Sequence, residues 1–264
     1  MQSEWIVLLI IAVVVMIWLE RRRRALSREA EQAPAETPVE HVAYRVPPQG
    51  SAQQSILRNP PTALQQALIP TTSSEEVVVI DIETTGLDPD RHQITQVAAR
   101  RCWNLGVLAS GEVVCESEVF TSYCKLRPRS RISVDVQQLT GITTDLLRRE
   151  GRPLAQVIRE FHAFVGNKVV IAHNASFDMK FLNVAAAEAG VVFANNIICT
   201  LAMARTVCPH LPKYRLVDLA SYAGVDATGA HNAVRDVEIT FWVYFALMKA
   251  AGCVTRIPVD PPRA

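Results

Sequence analysis

The sequence predicts an α/β domain built on a mixed sheet, on three observations. Two short runs, Val77–Ile82 and Lys168–Ala172, are almost wholly apolar and β-branched, as strands buried on both faces are. Three strand-like segments come first, and two more then alternate with helix-like segments, an order that fits layers of helix on sheet. Acidic residues stand at or just beyond the ends of the apolar runs, where open α/β sheets hold their ligands.

The elements follow in order. After Val77–Ile82, the segments Ile94–Trp103 and Glu112–Leu126 read as longer strands joined by a turn around Asn104–Gly111. Ser133–Leu139 and Thr143–Arg149 read as short helices around Leu139-Thr140-Gly141-Ile142. Pro153–Val165 carries Leu154, Val157, Ile158, Phe161 and Phe164 at spacings of three and four, a helix with one apolar face, and Pro153 suits its first turn. Lys168–Ala172 is a strand, Phe177–Gly190 an alanine-rich helix stopped by Gly190, and Ile197–Cys199 a short strand. Helices at Leu201–Val207 and Leu216–Ala223 precede a closing helix, Ala233–Lys249, whose apolar stripe is Val234, Val237, Phe241, Phe245 and Met248.

The chain before Val77 has a different character. Trp5–Leu19 carries no charge and is followed by Glu20 and Arg21–Arg24. As a helix it spans roughly 22 Å, and with Met1–Glu4 it can just cross a hydrocarbon core of ~30 Å. Trp5 and Trp18 stand where interfacial aromatics are favoured, and the positive charge follows the apolar run instead of preceding it, unlike a cleaved signal peptide. Residues 1–24 are therefore expected to be a single-pass anchor in the cytoplasmic membrane, N-terminus out, with the rest of the chain in the cytoplasm. Residues 25–76, rich in Ala, Gln, Glu and Pro, read as a linker with at most a helical turn at Ala63–Ile69. Residues 77–252 form the globular domain and 253–264 an irregular tail.

Composition narrows the function classes. A net charge of +1 gives no general pull toward nucleic acid. The clusters Arg127, Arg129, Arg131 and Arg148, Arg149, Arg152 can meet phosphates or simply be solvated faces. Six cysteines without paired spacing, several inside apolar runs, imply neither a disulfide framework nor a zinc site.

The chemistry lies in three segments. In VVVIDIETTGLDP, Asp81 and Glu83 stand at i and i+2 at the carboxyl end of a strand, so both point to one face and can share a metal ion. Gly86 in the following turn permits a close backbone approach. In VVIAHNASFDMKFL, His173 and Asn174 follow the second buried strand, and Asp178 falls in the first turn of a helix with Ser176 a candidate cap. In GAHNAVRDVEITFW, His231 precedes the last helix and Asp236 lies in its first turn, beside the apolar stripe. Asp178 can also serve as a helix-dipole residue, and His173 as a purely structural one. Carboxylates converging from three such places repel unless cations lie between them, and hard divalent ions with oxygen ligands meet that need.

DIETTGLDP, AHNASFDMKFL and HNAVRD together resemble the three motifs of the DnaQ-like (DEDD) exonuclease superfamily, in order and approximate spacing. Leu139-Thr140-Gly141-Ile142-Thr143 resembles the family's turn between the first two motifs, and the similarity covers roughly Val77 to Lys249. A histidine five residues before the last aspartate resembles the subclass named for that histidine. The resemblance implies an RNase H-like fold, a five-stranded mixed sheet with its second strand antiparallel, flanked by helices. It implies 3′→5′ removal of nucleoside monophosphates from single-stranded ends, with DNA favoured over RNA. It implies two divalent cations, Mg²⁺ with Mn²⁺ able to substitute, held by Asp81, Glu83 and Asp236, with Asp81 shared and Asp178 joining directly or through water. Such ions activate a water and stabilise the leaving oxygen. His231 is the implied general base, a role that suits an imidazole's titration near neutrality. Thr84 and Leu87 look like positions that contact the terminal nucleotide, and Phe177, His173 and Asn174 complete the implied substrate-binding set.

Two departures qualify the resemblance. Asn232 stands where a basic residue is frequent, and only a short stretch follows the last helix where replicative proofreading subunits carry a polymerase-binding tail, so assembly with a replicase is not expected. The competing readings are an oligoribonuclease-like enzyme clearing short RNAs, and a membrane-tethered, non-catalytic binding module recruiting partners through the proline-rich linker.

Overall fold

The computed structural model describes residues 40–44, 76–107 and 113–251. Six strands form one sheet in the order β1-β4-β3-β2-β5-β6: β1 is Glu40–Tyr44, β2 Val77–Thr84, β3 Ile94–Val107, β4 Val113–Tyr123, β5 Val169–Ala172 and β6 Ile197–Cys199. β3 runs antiparallel to both β2 and β4, while β5 is parallel to β2 and β6 parallel to β5. The five strands expected from the sequence, with the second one reversed, are therefore the body of a mixed sheet. The seven helices described are α1 Val134–Thr140, α2 Thr144–Glu150, α3 Leu154–Val165, α4 Ala175–Ala189, α5 Thr200–Val207, α6 Leu216–Ala223 and α7 Ala233–Ala250.

The strand parity of β2 explains both cores. Val78, Ile80 and Ile82 point to one face, where they pack with Val157, Ile158 and Phe161 of α3 and Phe181 and Leu182 of α4. Val77 and Val79 point to the other, against Val237, Phe241 and Val243 of α7, with Met203 of α5 and Leu219 of α6 behind them. Both faces of the central strand are covered, which is why its run is apolar throughout instead of alternating. The same parity places Asp81 and Glu83 on the α7 side.

Three expectations need correction. Glu40–Tyr44, inside the stretch read as linker, is a strand that lies antiparallel along β4, with Glu40 opposite Ser117 and Tyr44 opposite Val113. Five residues at a sheet edge carry too short a pattern to show a period, and their order comes from the unpaired backbone of the neighbouring strand. The apolar stripe expected on α7 was too narrow. Val234 is 36% exposed, whereas Ile239, Trp242, Val243, Tyr244 and Leu247 are buried, because the helix is enclosed by the sheet on one side and by α5 and α6 on the other. Asn104 falls within β3 in the left-handed region at φ 52°, beside an irregularity between Trp103 and Gly106, so the strand runs into the expected turn.

The anchor at Trp5–Leu19, the remainder of the linker with its Ala63–Ile69 turn, and the tail at 253–264 lie outside the described residues. Among the described residues no helix is long and apolar enough to cross a membrane. Cys102, Cys115, Cys124 and Cys208 are buried and Cys199 half-buried, all as free thiols. Of the arginine clusters, Arg127 pairs with Glu188, Arg148 with Asp145 and Arg152 with Glu160, the behaviour of solvated faces.

The double-sided burial of β2 sets a testable cost. Ile80→Ala, at a side chain 2% exposed, is expected to destabilise the fold by about 2–5 kcal/mol, read as a lower urea midpoint at unchanged slope.

Candidate active site

β2 delivers Asp81 and Glu83 at its carboxyl end, and α7 delivers Asp236 from its first turn. One carboxylate oxygen of each lies within 4.8 Å of the other two. Asp178, from α4 on the opposite face, reaches the same strand end. It is 2% exposed, and its carboxylate is hydrogen-bonded to the backbone of Ile82 and to its own backbone. Between Glu83 and Thr84 the pairing with β3 slips by one residue, so that Glu83 faces Gln96 and Thr84 faces Ile94. Thr95, bypassed by this bulge, keeps a buried hydroxyl without a partner. Bulges of this kind end pairing and re-aim side chains beside sites.

The electrostatics are those of crowded carboxylates. Asp81 is held well above the ordinary carboxylate range, first by burial and then by Asp178, Asp236 and Glu83. Glu83 is pushed up to about 7 by burial and by Asp236. Asp178 is pushed up to about 8, burial outweighing its two backbone hydrogen bonds, and Asp236 is raised chiefly by burial. Among the described residues no Lys or Arg forms an ion pair with any of the four; Arg235, which lowers the pKa of Asp236 slightly, is engaged by Glu238 and Asp226. An all-oxygen set short of positive charge fits a hard divalent cation.

The supporting shell includes residues that sequence reasoning missed. Gln96, 3% exposed, sits opposite Glu83 and accepts the backbone N–H of Ala233 at 3.3 Å. It thus satisfies one of the orphan donors at the start of α7 from the sheet itself, while Asn232 accepts from Val234 N–H at 3.1 Å. His231 takes a left-handed backbone, φ 68°, and its N–H donates to both Asp236 oxygens at 3.1 and 3.3 Å. Asp236 therefore fixes the backbone of the histidine that precedes it. A buried glutamine in a strand carries no sequence signal, except that it falls opposite a site residue.

His173 is a tether. Its Nδ1 lies 3.0 Å from Thr200 Oγ1, its ring hydrogen-bonds the backbone of Tyr214, and burial pushes its pKa down to about 4. The ring thus joins the end of β5 to α5 and to the segment before α6. Asn174 has a left-handed backbone, φ 57°, at the start of α4 and makes no side-chain cap bond, while Ser176, expected as the cap, lies within the helix. The turn needs the left-handed residue that Asn tolerates, which a serine cap in extended geometry cannot supply. Phe177 is half-buried against the α3–α4 core, its ring 5.2 Å from Phe181. In the turn after β2, Thr84 Oγ1 donates to Gly86 O at 2.6 Å, and Leu87 is 78% exposed. A Cβ at Gly86 would meet the His92 ring at 2.5 Å, so the turn is seated directly on that ring.

Residues 78–244 match the model of a protein family described as Exonuclease. The chain belongs to this exonuclease family. Among similar proteins is the PolC-type DNA polymerase III of Halalkalibacterium halodurans, 37% identical over 193 residues, spanning 72% of this chain and 12% of that protein. The Bacillus subtilis PolC-type polymerase is 34% identical over 180 residues, 67% of this chain and 12% of its own length. The chain thus spans about an eighth of these relatives. In architecture it is similar to E. coli Exonuclease I crystallised with a dA16 oligonucleotide, with a TM-score of 0.55 and 24% identity over 67% of this chain and 41% of that one. That likeness is one of fold.

Burial ties the carboxylate cluster to stability. The unfolded chain releases the Glu83 proton near its ordinary 4.5 and that of Asp178 near 3.8, whereas the fold holds them to about 7 and about 8. Without a divalent ion the protonated groups stabilise the fold at acid pH, and that contribution is lost as pH rises through about 7 to 8. Thermal melts in EDTA should therefore fall between pH 5 and 8, Asp178→Asn should raise the pH 8 midpoint by several degrees, and added Mg²⁺ should stabilise more at pH 8 than at pH 5.

Proposed function

We propose that the chain is a 3′→5′ exonuclease that removes nucleoside monophosphates from single-stranded ends, DNA in preference to RNA, using two divalent cations. The observation that carries this reading is the meeting of Asp81, Glu83 and Asp236 within 4.8 Å at the end of the central strand, with no Lys or Arg ion-paired to them among the described residues. The similarity to PolC-type polymerases supports DNA as the substrate.

Asp81, Glu83 and Asp236 are the residues that would hold Mg²⁺ or Mn²⁺, with Asp178 completing the set. When bound, such ions supply positive charge at the scissile phosphate and lower the cost of forming a nucleophile from water. The protein's own groups do the rest. His231, held at its backbone by Asp236, accepts the proton of the attacking water at its imidazole. The turn Thr84–Leu87, seated on His92, presents backbone and an exposed apolar side chain to the terminal nucleoside, and Phe177 offers a half-exposed ring edge for its base. His173 keeps the cleft wall in place. The charge-free stretch Trp5–Leu19 with Arg21–Arg24 behind it supports attachment to the cytoplasmic membrane with the nuclease in the cytoplasm.

The test is a 5′-labelled single strand, DNA beside RNA, incubated with the full chain in Mg²⁺, in Mn²⁺ and in EDTA. A ladder shortening from the 3′ end only with metal is expected. Asp81→Asn and Asp236→Asn should lose more than the ~10–100-fold that an outer-shell partner is worth. His231→Ala should lose about 10²–10⁴-fold in kcat with little change in KM. Full activity in either aspartate variant would refute the site.

A further inference from the structure

We propose that the cleft between the end of α5 and the start of α6 holds the sugar–phosphate backbone of the strand upstream of the scissile bond, with Arg205 and Lys213 as its phosphate contacts. This rests on the exonuclease reading of the carboxylate site. The cleft, about 580 Å³, opens beside His231 and Asp236 and runs along Arg205 of α5 and the segment Pro212–Val217. That volume is within the ~300–1,000 Å³ of small-molecule sites, enough for nucleotide-sized groups. Its walls are largely apolar, and Arg205, Lys213 and Arg215 set three cations on them, with Asp236 the single acid.

Two of those cations have no bonded carboxylate partner among the described residues, Lys213 lying within electrostatic reach of the Asp218 that grips Arg215. Arg215 is gripped by Asp218, at 2.7 and 3.0 Å. Arg205 and Lys213 are exposed, and among the described residues neither forms an ion pair. Arg127, Arg148 and Arg152, by contrast, each have a carboxylate partner. The Arg205 guanidinium lies 6.0 Å from the centroid of the Tyr214 ring, at the outer edge of cation–π range, a contact that leaves its N–H donors available. Tyr214 is itself immobilised, its hydroxyl donating to Cys208 O at 2.9 Å and its backbone bonded to His173. The cations are thus mounted on a braced wall that leads to the carboxylates without neutralising them.

A polyanion approaching four acidic groups is repelled by them along its path. A cationic flank a short distance upstream provides the opposing attraction, and apolar walls accept the sugars and bases between phosphates. Because phosphates carry the contact, the track is common to DNA and RNA.

The test compares the full chain with its Arg205→Ala/Lys213→Ala variant on two kinds of substrate. One is oligothymidylate or oligouridylate; the other is the p-nitrophenyl ester of thymidine 5′-monophosphate, which has the phosphodiester and no upstream strand. On both oligomers KM should rise about tenfold with kcat nearly unchanged, and the salt dependence should flatten by about 1.4 in slope, ~0.7 for each lost single-strand phosphate contact. Aryl ester hydrolysis should not change, and Arg205→Lys/Lys213→Arg should restore the oligomer KM. An unchanged KM and slope, an equal loss on the aryl ester, or a loss confined to one sugar would overturn the proposal. If the parent protein hydrolyses neither substrate, the exonuclease reading fails. The cleft is then judged by anisotropy of labelled oligothymidylate in Ca²⁺: weaker, less salt-sensitive binding by the double alanine variant supports it, and equal binding overturns it.

Discussion

The burial of four carboxylates at one strand end, with repulsion added between several of them, governs much of this molecule. Asp81, Glu83, Asp178 and Asp236 arrive from both layers at one strand end, and each is held above its ordinary titration range with burial as the leading cause. Folding gathers these groups against their electrostatic preference, so the hydrophobic packing on both faces of β2 must hold them there. The protein is built to want positive charge at that point, and the fold is most comfortable once it is supplied.

The supporting contacts are distributed accordingly. α7 is the element that could most easily drift, because its first turn carries Asp236 and its N-terminus has donors to satisfy. Gln96 bonds that terminus to β3 and Asp236 bonds back to His231, so helix, loop and sheet share a few polar contacts in an otherwise apolar region. His173 does the corresponding work on the other side, joining β5, α5 and the segment before α6. Neither needs to touch substrate to matter, since a misplaced carboxylate or cleft wall costs as much as a missing one.

Much of the architecture was legible because the strong signals are local. Val77–Ile82, the spacing of Leu154 to Phe164, and Gly190 after an alanine-rich run each follow from backbone and burial preferences within a few residues. Asp81 and Glu83 share a face by strand parity alone. What escaped notice depends on contacts distant in sequence. β1 is ordered by a partner some seventy residues further along the chain; the breadth of α7's buried surface depends on two short helices packing behind it; Gln96 acquires its role only when β3 is laid beside β2. The cap at Asn174 was misread because a left-handed residue and a side-chain cap leave similar residue types in the sequence. The pairing of Arg127, Arg148 and Arg152, and the lack of an ion pair at Arg205 and Lys213 among the described residues, are likewise invisible until the chain is folded.

The slip in pairing between Glu83 and Thr84 has a consequence for how such a chain can change over generations. A strand counts in twos, and β2 uses both phases at once, the even one for the wall of the α3–α4 core and the odd one for the wall of the α7 core and, further along, the acids. Losing or gaining a single residue within it would exchange the phases, putting Asp81 among the phenylalanines of the α3–α4 core and an isoleucine where the carboxylate stood. The bulge takes up the one-residue offset just past Glu83, after the acids have been delivered and before the turn begins. Length variation within β2 is thus confined to steps of two, whereas the turn beyond the bulge is released from that parity and is limited instead by its seat on His92.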